Sequence, residues 1–438
     1  MDKKKRAFIH TFGCQMNEYD SMRYGEVLQH HGYDIVDEPK RADLILLNSC
    51  SIREKAEQKL LSALGRYVIY HKNKPEMKIV LAGCTAQLRG LEIMKRFTEL
   101  DMVMGTDNTW RLDEWLRNPI SGARYLNRTP VEEYSFCSAA PGGGGVGVSA
   151  NVTIMKGCDN RCAYCVVPAA RGPRIDRPRG SIIQEVDKMV SAGAREIVLL
   201  GQNVNAYRRG PEGFAGLLRS VAERPGVLRV RFTTSHPRDL DLQTVKAVGE
   251  TPEICSHFHL PVQSGSTRVM RRMGRGYTRE DYLTRVGWIR ENVPGAAVST
   301  DIIVGFPGET EDDFDETMSL LDHVKYTFIY SFCYSDRPDT RAEEMVDRVD
   351  PVVASSRLAR LQGRQEEIST ENLRSWVGKE GDVLVEGPSR QGNGQMMGRL
   401  PTFEIVNFTS KGSEELTGEV VRVEITAAGH HTLEGRLV

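Results

Sequence analysis

The 438-residue chain has no apolar stretch near the roughly 18 residues that a membrane-spanning helix needs, which speaks against a helical membrane protein. Its basic opening, Met1 to Arg6, is followed only by Ala7-Phe8-Ile9 before His10. That is too short for the apolar core of a secretory leader, so the expectation is a cytoplasmic protein with no membrane contact. A large net charge of either sign is also missing: 58 Lys and Arg against 59 Asp and Glu leave −1. Any basic footprint for a nucleic acid must therefore be local. The cysteines lack an even count. There are nine, at 14, 50, 84, 137, 158, 162, 165, 255 and 333. In a cytoplasmic chain an odd set argues against a disulfide framework and for metal ligation or catalysis. The glycine run 142–145 lacks a Lys-Ser/Thr ending and a leading strand, so it reads as a flexible linker rather than a phosphate loop.

What is present is a chain of ordinary composition, 40% hydrophobic and 27% charged, long enough for about three domains. Residues 1–122 alternate short apolar strands (Arg6–Thr11, Asp43–Leu47, Lys78–Ala82, Asp101–Met104) with helices (Ser21–His30, another from Arg53), which predicts an open parallel sheet. A Gly-rich linker covers 123–147. From 148 to 374 six further strands are predicted, at Val152–Met155, Glu196–Leu200, Leu228–Thr233, His257–Pro261, Val298–Val304 and Thr327–Phe332, with helices between them and a long charged helix, Val353–Leu373, at the end. Six βα units form a partial barrel or an open sheet. Both place reactive loops at the carboxyl ends of the strands. Residues 375–438, punctuated by glycine, predict a small all-β barrel. The fold class is thus α/β with a terminal β barrel.

Cys158, Cys162 and Cys165 lie in one loop after a strand, four and three residues apart. Three thiolates so spaced can hold three irons of a 4Fe-4S cluster and leave the fourth iron open to a small molecule. A zinc site would pair C-x-x-C with a second such pair, which is missing. This spacing resembles the radical S-adenosylmethionine (SAM) enzymes. The resemblance implies that SAM chelates the open iron and is cleaved by one electron to methionine and a 5'-deoxyadenosyl radical. It also puts Tyr164 near the adenine, although a loop aromatic closing over the sheet reads equally well.

Cys14, Cys50 and Cys84 each follow an apolar strand, 36 and 34 residues apart, close to one βα unit each. Parallel strands put their carboxyl ends on one sheet edge, so these thiols are either ligands of a second cluster or three separate buried cysteines. Cys137, Cys255 and Cys333 have no partners at metal-ligand spacing and read as buried thiols.

Thr11-Phe-Gly-Cys-Gln-Met-Asn17, Asn48-Ser-Cys-Ser-Ile-Arg-Glu-Lys-Ala56, Gly83-Cys-Thr-Ala-Gln87, His259-Leu-Pro-Val-Gln-Ser-Gly-Ser266, Arg275-Gly-Tyr-Thr278 and Asp301-Ile-Ile-Val-Gly-Phe-Pro-Gly-Glu-Thr310 resemble the methylthiotransferases, a match that covers nearly all of the chain, and look like the branch acting on isopentenyl-adenosine in tRNA. The resemblance implies an N-terminal domain binding an auxiliary cluster through Cys14, Cys50 and Cys84, a radical SAM core and a terminal TRAM domain. It implies two 4Fe-4S clusters, two SAM molecules and methylthiolation of carbon 2 of the adenosine at position 37, beside the anticodon. Gly201, Gln202, Asn203, Gln263 and Ser264 become candidates for SAM contact, or simply residues of βα turns. Two departures touch substrate contacts. Ala169-Ala170 stand where the family usually has Tyr-Thr, and Arg399 to Ile405 stand where it has a Thr/Asn-rich stretch.

Basic charge is concentrated at Arg171, Arg174, Arg177 and Arg179, and again at Arg268, Arg271, Arg272, Arg275 and Arg279. Arginine binds phosphate bidentately. Arg171, Arg174, Arg177, Arg271, Arg272 and Arg275 are therefore candidates for the tRNA anticodon arm, the alternative being a solvated helix face. The terminal domain opposes this, with six Lys and Arg against nine Asp and Glu. The expected partners are that tRNA and a reductant such as flavodoxin or ferredoxin, with the enzyme a monomer. The rival functions are methylthiolation of a ribosomal-protein aspartate and a non-catalytic iron–sulfur RNA-binding protein.

Overall fold

A computed structural model describes residues 4–51, 54–106, 108–125, 146–390, 392, 394–409 and 416–438. They form two compact units. Cys137, Arg53 and the glycines 142–145 lie outside the described residues.

The first unit holds β1 (Lys5–Phe12), α1 (Gln15–His30), β2 (Tyr33–Ile35), β3 (Leu44–Ser49), α2 (Glu54–Asn73), β4 (Lys78–Gly83), α3 (Cys84–Arg96), β5 (Met102–Met104), α4 (Thr109–Arg117) and β6 (Ala123–Tyr125). The six strands are parallel, in the order β2-β1-β3-β4-β5-β6. Strand β3 is buried along its whole length, because helices cover both faces. Its side chains alternate between two cores. Ile45 and Leu47 join Leu60, Leu64 and Ile93 of α2 and α3, while Leu44 and Leu46 join Tyr24, Leu28 and Trp115 of α1 and α4. The expected open parallel sheet is present, with β2 and β6 added at its edges.

This unit also contains residues 155–159 and 165–177. Met155–Lys156 pairs antiparallel with Ile175–Asp176, and a five-residue helix, Val167–Arg171, follows Cys165.

The second unit is built on six strands. Ser149–Thr153, Glu196–Leu200 and Arg229–Thr233 form one parallel group with the second in the middle, and His257–His259, Ala297–Val304 and Ile329–Cys333 form another. Between the groups the ladder shrinks to a single bridge, Val230 to Ile254. The expected strand Val152–Met155 is broken at Ile154, whose amide donates to the Leu200 carbonyl at 3.0 Å. The long helix runs Pro351–Arg374, capped by the Asp350 carboxylate on the amide of Val352 at 2.7 Å.

The strands 380–388, 395–399, 405–409, 433–437 and 420–428 close into a barrel in that order. Val383, Val385, Met396, Val406, Phe408, Val423 and Ile425 fill it. The barrel and the six strands belong to one compact unit. Arg229 donates to the Asp382 carbonyl at 2.7 Å, and Arg231 to the Leu400 and Pro401 carbonyls at 2.7 and 3.0 Å. Phe403 stacks on His257 with ring centroids 4.9 Å apart. Residues 399–405, where the sequence departs from its family, thus dock the barrel at the amino ends of the strands. No helix among the described residues is long and apolar enough to cross a membrane.

Candidate iron–sulfur and SAM sites

Strands β1, β3 and β4 are neighbours, and Phe12, Ser49 and Gly83 are aligned across them. Cys14, Cys50 and Cys84 come one or two residues later, so all three leave the same sheet edge. Cys14 caps α1, and Cys84 is the first residue of α3. Both sulfurs therefore sit at the positive ends of helices, which favour negative charge. Amides of Asn17 and Met16 donate to the Cys14 sulfur, and the Cys50 thiol hydrogen-bonds to it. The Cys14 thiol is pulled down to about 6, first by Cys50, with burial opposing and Arg171 assisting. Burial pushes the fully enclosed Cys84 thiol up, while the positive charge of Arg171 pulls the other way.

The backbone around the thiols leaves no slack. A Cβ on Gly13 would meet the Cys50 Cβ at 2.8 Å, and Gly83 has φ +92° with the Ser49 carbonyl 2.8 Å from any added Cβ. Asn48 Nδ2 donates to the Asn17 carbonyl at 2.8 Å and to Ser21 Oγ at 2.9 Å, locking β3 to α1. Among the described residues no three His, Cys, Asp or Glu side chains are close enough to share one metal ion. The donor set suits a larger group that presents several soft metals to separate thiolates beside a cation, as a 4Fe-4S cluster does.

Two cysteines of the triplet belong to the first unit. Cys158 is half-buried, and its amide donates to the Gly172 carbonyl at 3.2 Å. Gly157 before it has φ +68°, and a Cβ there would collide with the Gly172 and Pro173 carbonyls. Cys165 is half-buried and leads into the helix Val167–Arg171. Cys162 and Tyr164 are part of the second unit. Arg275 Nη1 donates to Cys162 Sγ and to Tyr164 Oη, both at 3.3 Å, and Tyr164 packs edge-on to Phe306.

Around the carboxyl ends of strands Glu196–Leu200 and Arg229–Thr233, four buried polar atoms have no hydrogen-bond partner: Gln202 Oε1, Asn203 Oδ1, Ser235 Oγ and His236 Nε2. A small polar ligand such as SAM would satisfy them. Asn203 Nδ2 is fixed by Asp239 Oδ2 at 2.6 Å, which aims its free oxygen. Gly201 exchanges backbone bonds of 3.2 Å with Thr233 and Thr234. Gln263 is held at φ +73°. Ser264 Oγ accepts from the Ser266 amide at 3.2 Å. Ser235 and His236 were missed in the sequence because they follow a strand without glycine or cysteine to mark them; the polar run Thr233-Thr-Ser-His236 was the available signal.

The arginines divide. Arg171, Arg177 and Arg275 are 6%, 0% and 4% exposed. Arg171 pairs with Asp20 at 2.8 Å, and Arg275 donates to the Pro261 carbonyl at 2.6 Å as well as to Cys162 and Tyr164. Buried guanidiniums cannot meet a phosphate backbone, so for these three the sequence expectation gives way to an internal role. Arg271 is exposed, and Arg174 and Arg272 are partly exposed beside Asp176 and Asp347. Cys255 is buried as expected, but Cys333 is only half-buried.

Comparison with known proteins agrees with this layout. Residues 6–105 match an uncharacterized protein family, UPF0004, residues 152–321 the radical SAM superfamily and residues 374–438 the TRAM domain. Among solved structures, the radical SAM methyltransferase TsrM of Kitasatospora setae, with cobalamin and a [4Fe-4S] cluster, aligns with a TM-score of 0.57 at 14% identity, over 78% of this chain and 77% of its own. That likeness shows the fold alone. Proteins named tRNA-2-methylthio-N(6)-dimethylallyladenosine synthase are far more similar. The one from Syntrophobacter fumaroxidans is 44% identical over 98% of this chain and 95% of its own length, that from Geobacter sulfurreducens 43% over 100% and 98%, and that from Myxococcus xanthus 45% over 99% and 94%. With such identity along its whole length and a radical SAM core, the chain belongs to the tRNA-2-methylthio-N(6)-dimethylallyladenosine synthase family of radical SAM methylthiotransferases.

Proposed function

We propose that the protein methylthiolates carbon 2 of N(6)-dimethylallyladenosine at position 37 of tRNA, using two SAM molecules and two 4Fe-4S clusters. The observation that carries the two-cluster reading is the exit of Cys14, Cys50 and Cys84 from one sheet edge. Those residues hold the auxiliary cluster, and Cys158, Cys162 and Cys165 hold the other. When bound, these groups supply reductive SAM cleavage and a cluster that carries or receives the transferred sulfur, chemistry that protein acids and bases cannot provide at an unreactive C–H carbon. The chain's own residues do the rest. Gln202, Asn203, Ser235 and His236 orient SAM through their open polar atoms. Arg275 steadies Cys162 and Tyr164. Arg174, Arg271 and Arg272 remain for the anticodon arm. The working domains are 1–122, 148–374 and 375–438, joined by 123–147, except that Ala123–Tyr125 of that stretch completes the first sheet as β6. The setting is the cytoplasm, with a small reductant such as flavodoxin or ferredoxin and a monomeric enzyme.

The test is mass spectrometry of tRNA nucleosides from cells lacking the protein. The 2-methylthio mark should vanish and return with the wild-type chain. Cys162→Ala should abolish SAM cleavage, whereas Cys50→Ala should retain some cleavage and form no methylthio product. Product from Cys50→Ala would sink the division of labour, and absence of 5'-deoxyadenosine from the reduced wild-type chain would favour a non-catalytic RNA-binding protein.

A further inference from the structure

The sequence groups Arg171 with the arginines of an RNA footprint, but its side chain turns inward within the first unit. It ends the helix Val167–Arg171, six residues after Cys165, and is followed by Gly172 at φ +73°. That helix packs on α3, and Thr106 Oγ1 donates to the Ala170 carbonyl at 2.8 Å. The segment carrying Cys165 is thereby anchored to the sheet that carries Cys14, Cys50 and Cys84. From this anchor the Arg171 guanidinium reaches Asp20 Oδ2 at 2.8 Å, and its positive charge acts on the Cys84 and Cys14 thiols. Both members of the Arg171–Asp20 pair are almost fully enclosed, with side chains 7% and 4% exposed. A buried guanidinium paired with one carboxylate beside these thiols is a fixed charge, since arginine does not deprotonate in proteins.

Such a charge has an electrostatic consequence. Three thiolates on a 4Fe-4S core of charge 2+ leave one net negative charge, and reduction by one electron makes it two. A buried cation nearby favours the more negative state. A buried anion nearby opposes it.

We propose that Arg171 is a positioning residue that raises the one-electron reduction potential of the cluster held by Cys14, Cys50 and Cys84, with Asp20 holding its guanidinium and partly offsetting its charge. This rests on the reading that those cysteines bind a cluster. It gives the loop of one cysteine set a direct electrostatic hold on the other.

The experiment uses the full chain with Cys158→Ala, Cys162→Ala and Cys165→Ala, so that only the second set can load. The Arg171–Asp20 pair and the Thr106–Ala170 bond involve none of these three. After anaerobic reconstitution, iron is counted and the cluster is titrated with dithionite under electron paramagnetic resonance. Arg171→Gln should lower the ratio of reduced to oxidised cluster about tenfold at a fixed potential, a shift of about 59 mV for one electron. Arg171→Lys keeps the charge and should shift it less. Asp20→Asn should move the ratio the opposite way, which general loosening of the fold would not do. If Arg171→Gln fails to load iron, Arg171→Lys and Asp20→Asn decide the matter. Unchanged ratios in loaded variants, or shifts of one sign in Arg171→Gln and Asp20→Asn alike, overturn the proposal. A parent chain that binds no iron instead removes the underlying reading, and the proposal with it.

Discussion

At the scale of single residues, charge alone is a poor guide to where an arginine works. Arg271 and Arg275 stand four apart in the same basic run, yet one is exposed and the other is 4% exposed. Arg271→Ala should reduce the log–log salt slope of tRNA binding by about 0.9 if its guanidinium meets a phosphate. Arg275→Ala should leave that slope alone but impair SAM cleavage, because Cys162 and Tyr164 lose their shared donor. Filter binding across a salt series and a 5'-deoxyadenosine assay check both; equal slopes for wild type and Arg271→Ala would remove Arg271 from the footprint. His236 gives a second prediction. Burial first, then Arg275, Arg238 and Arg285, push its imidazole down to about 2 from an ordinary 6.5. The folded pKa lies below the unfolded one, so the unfolded chain takes up a proton that the folded chain refuses. Stability is lost as pH falls from 6.5 toward 2, by at most about 1.4 kcal/mol per pH unit from this group. His236→Gln should move the acid-unfolding midpoint to lower pH, read by circular dichroism, and an unmoved midpoint would contradict it.

At the scale of elements, glycines with positive φ set the cysteine loops. Gly157→Ala forces a Cβ into the Gly172 and Pro173 carbonyls and should displace Cys158. Iron per reconstituted chain should then fall from about eight to about four, with the auxiliary set still loaded. Retention of full iron would show that the loop tolerates the change. The elements themselves were legible wherever apolar runs carried them. Glu196–Leu200 appears as expected, β1 and β4 extend their expected spans by a residue or two, and β3 starts one residue later and ends two later than expected. Helix α1 was read six residues short. Its first turns bury Asn17, Asp20 and Ser21, so the polar sequence hides a buried face. The convergence of Cys14, Cys50 and Cys84 on one sheet edge was legible because sheet topology turns distant positions into neighbours. The roles of Arg171 and Arg275 were not, since one-dimensional charge says nothing of which way a side chain turns.

At the scale of the whole molecule, the terminal barrel is part of the core's own unit. Arg231 pairs with Glu196 at 2.6 Å, both side chains 6% exposed, while its other nitrogens reach the barrel carbonyls at 400 and 401. Arg231→Ala strands a buried carboxylate and should cost about 3–5 kcal/mol. Melting should occur at a lower temperature and proteolysis near Ser375 should quicken. Adding Glu196→Gln should recover part of the loss, and a single variant as heat-resistant as wild type would refute the coupling.

That docking also sets an order of manufacture. Arg229 and Arg231 belong to a strand completed some 170 positions before the carbonyls that receive them. While the ribosome is still adding those later residues, the two guanidiniums have no barrel to face. The core emerges with one mouth uncapped and closes only when the chain is nearly finished. Nascent chains arrested at residue 375 should accordingly be cut faster in the core than finished ones, and equal protection at both lengths would mean that the core matures without its cap.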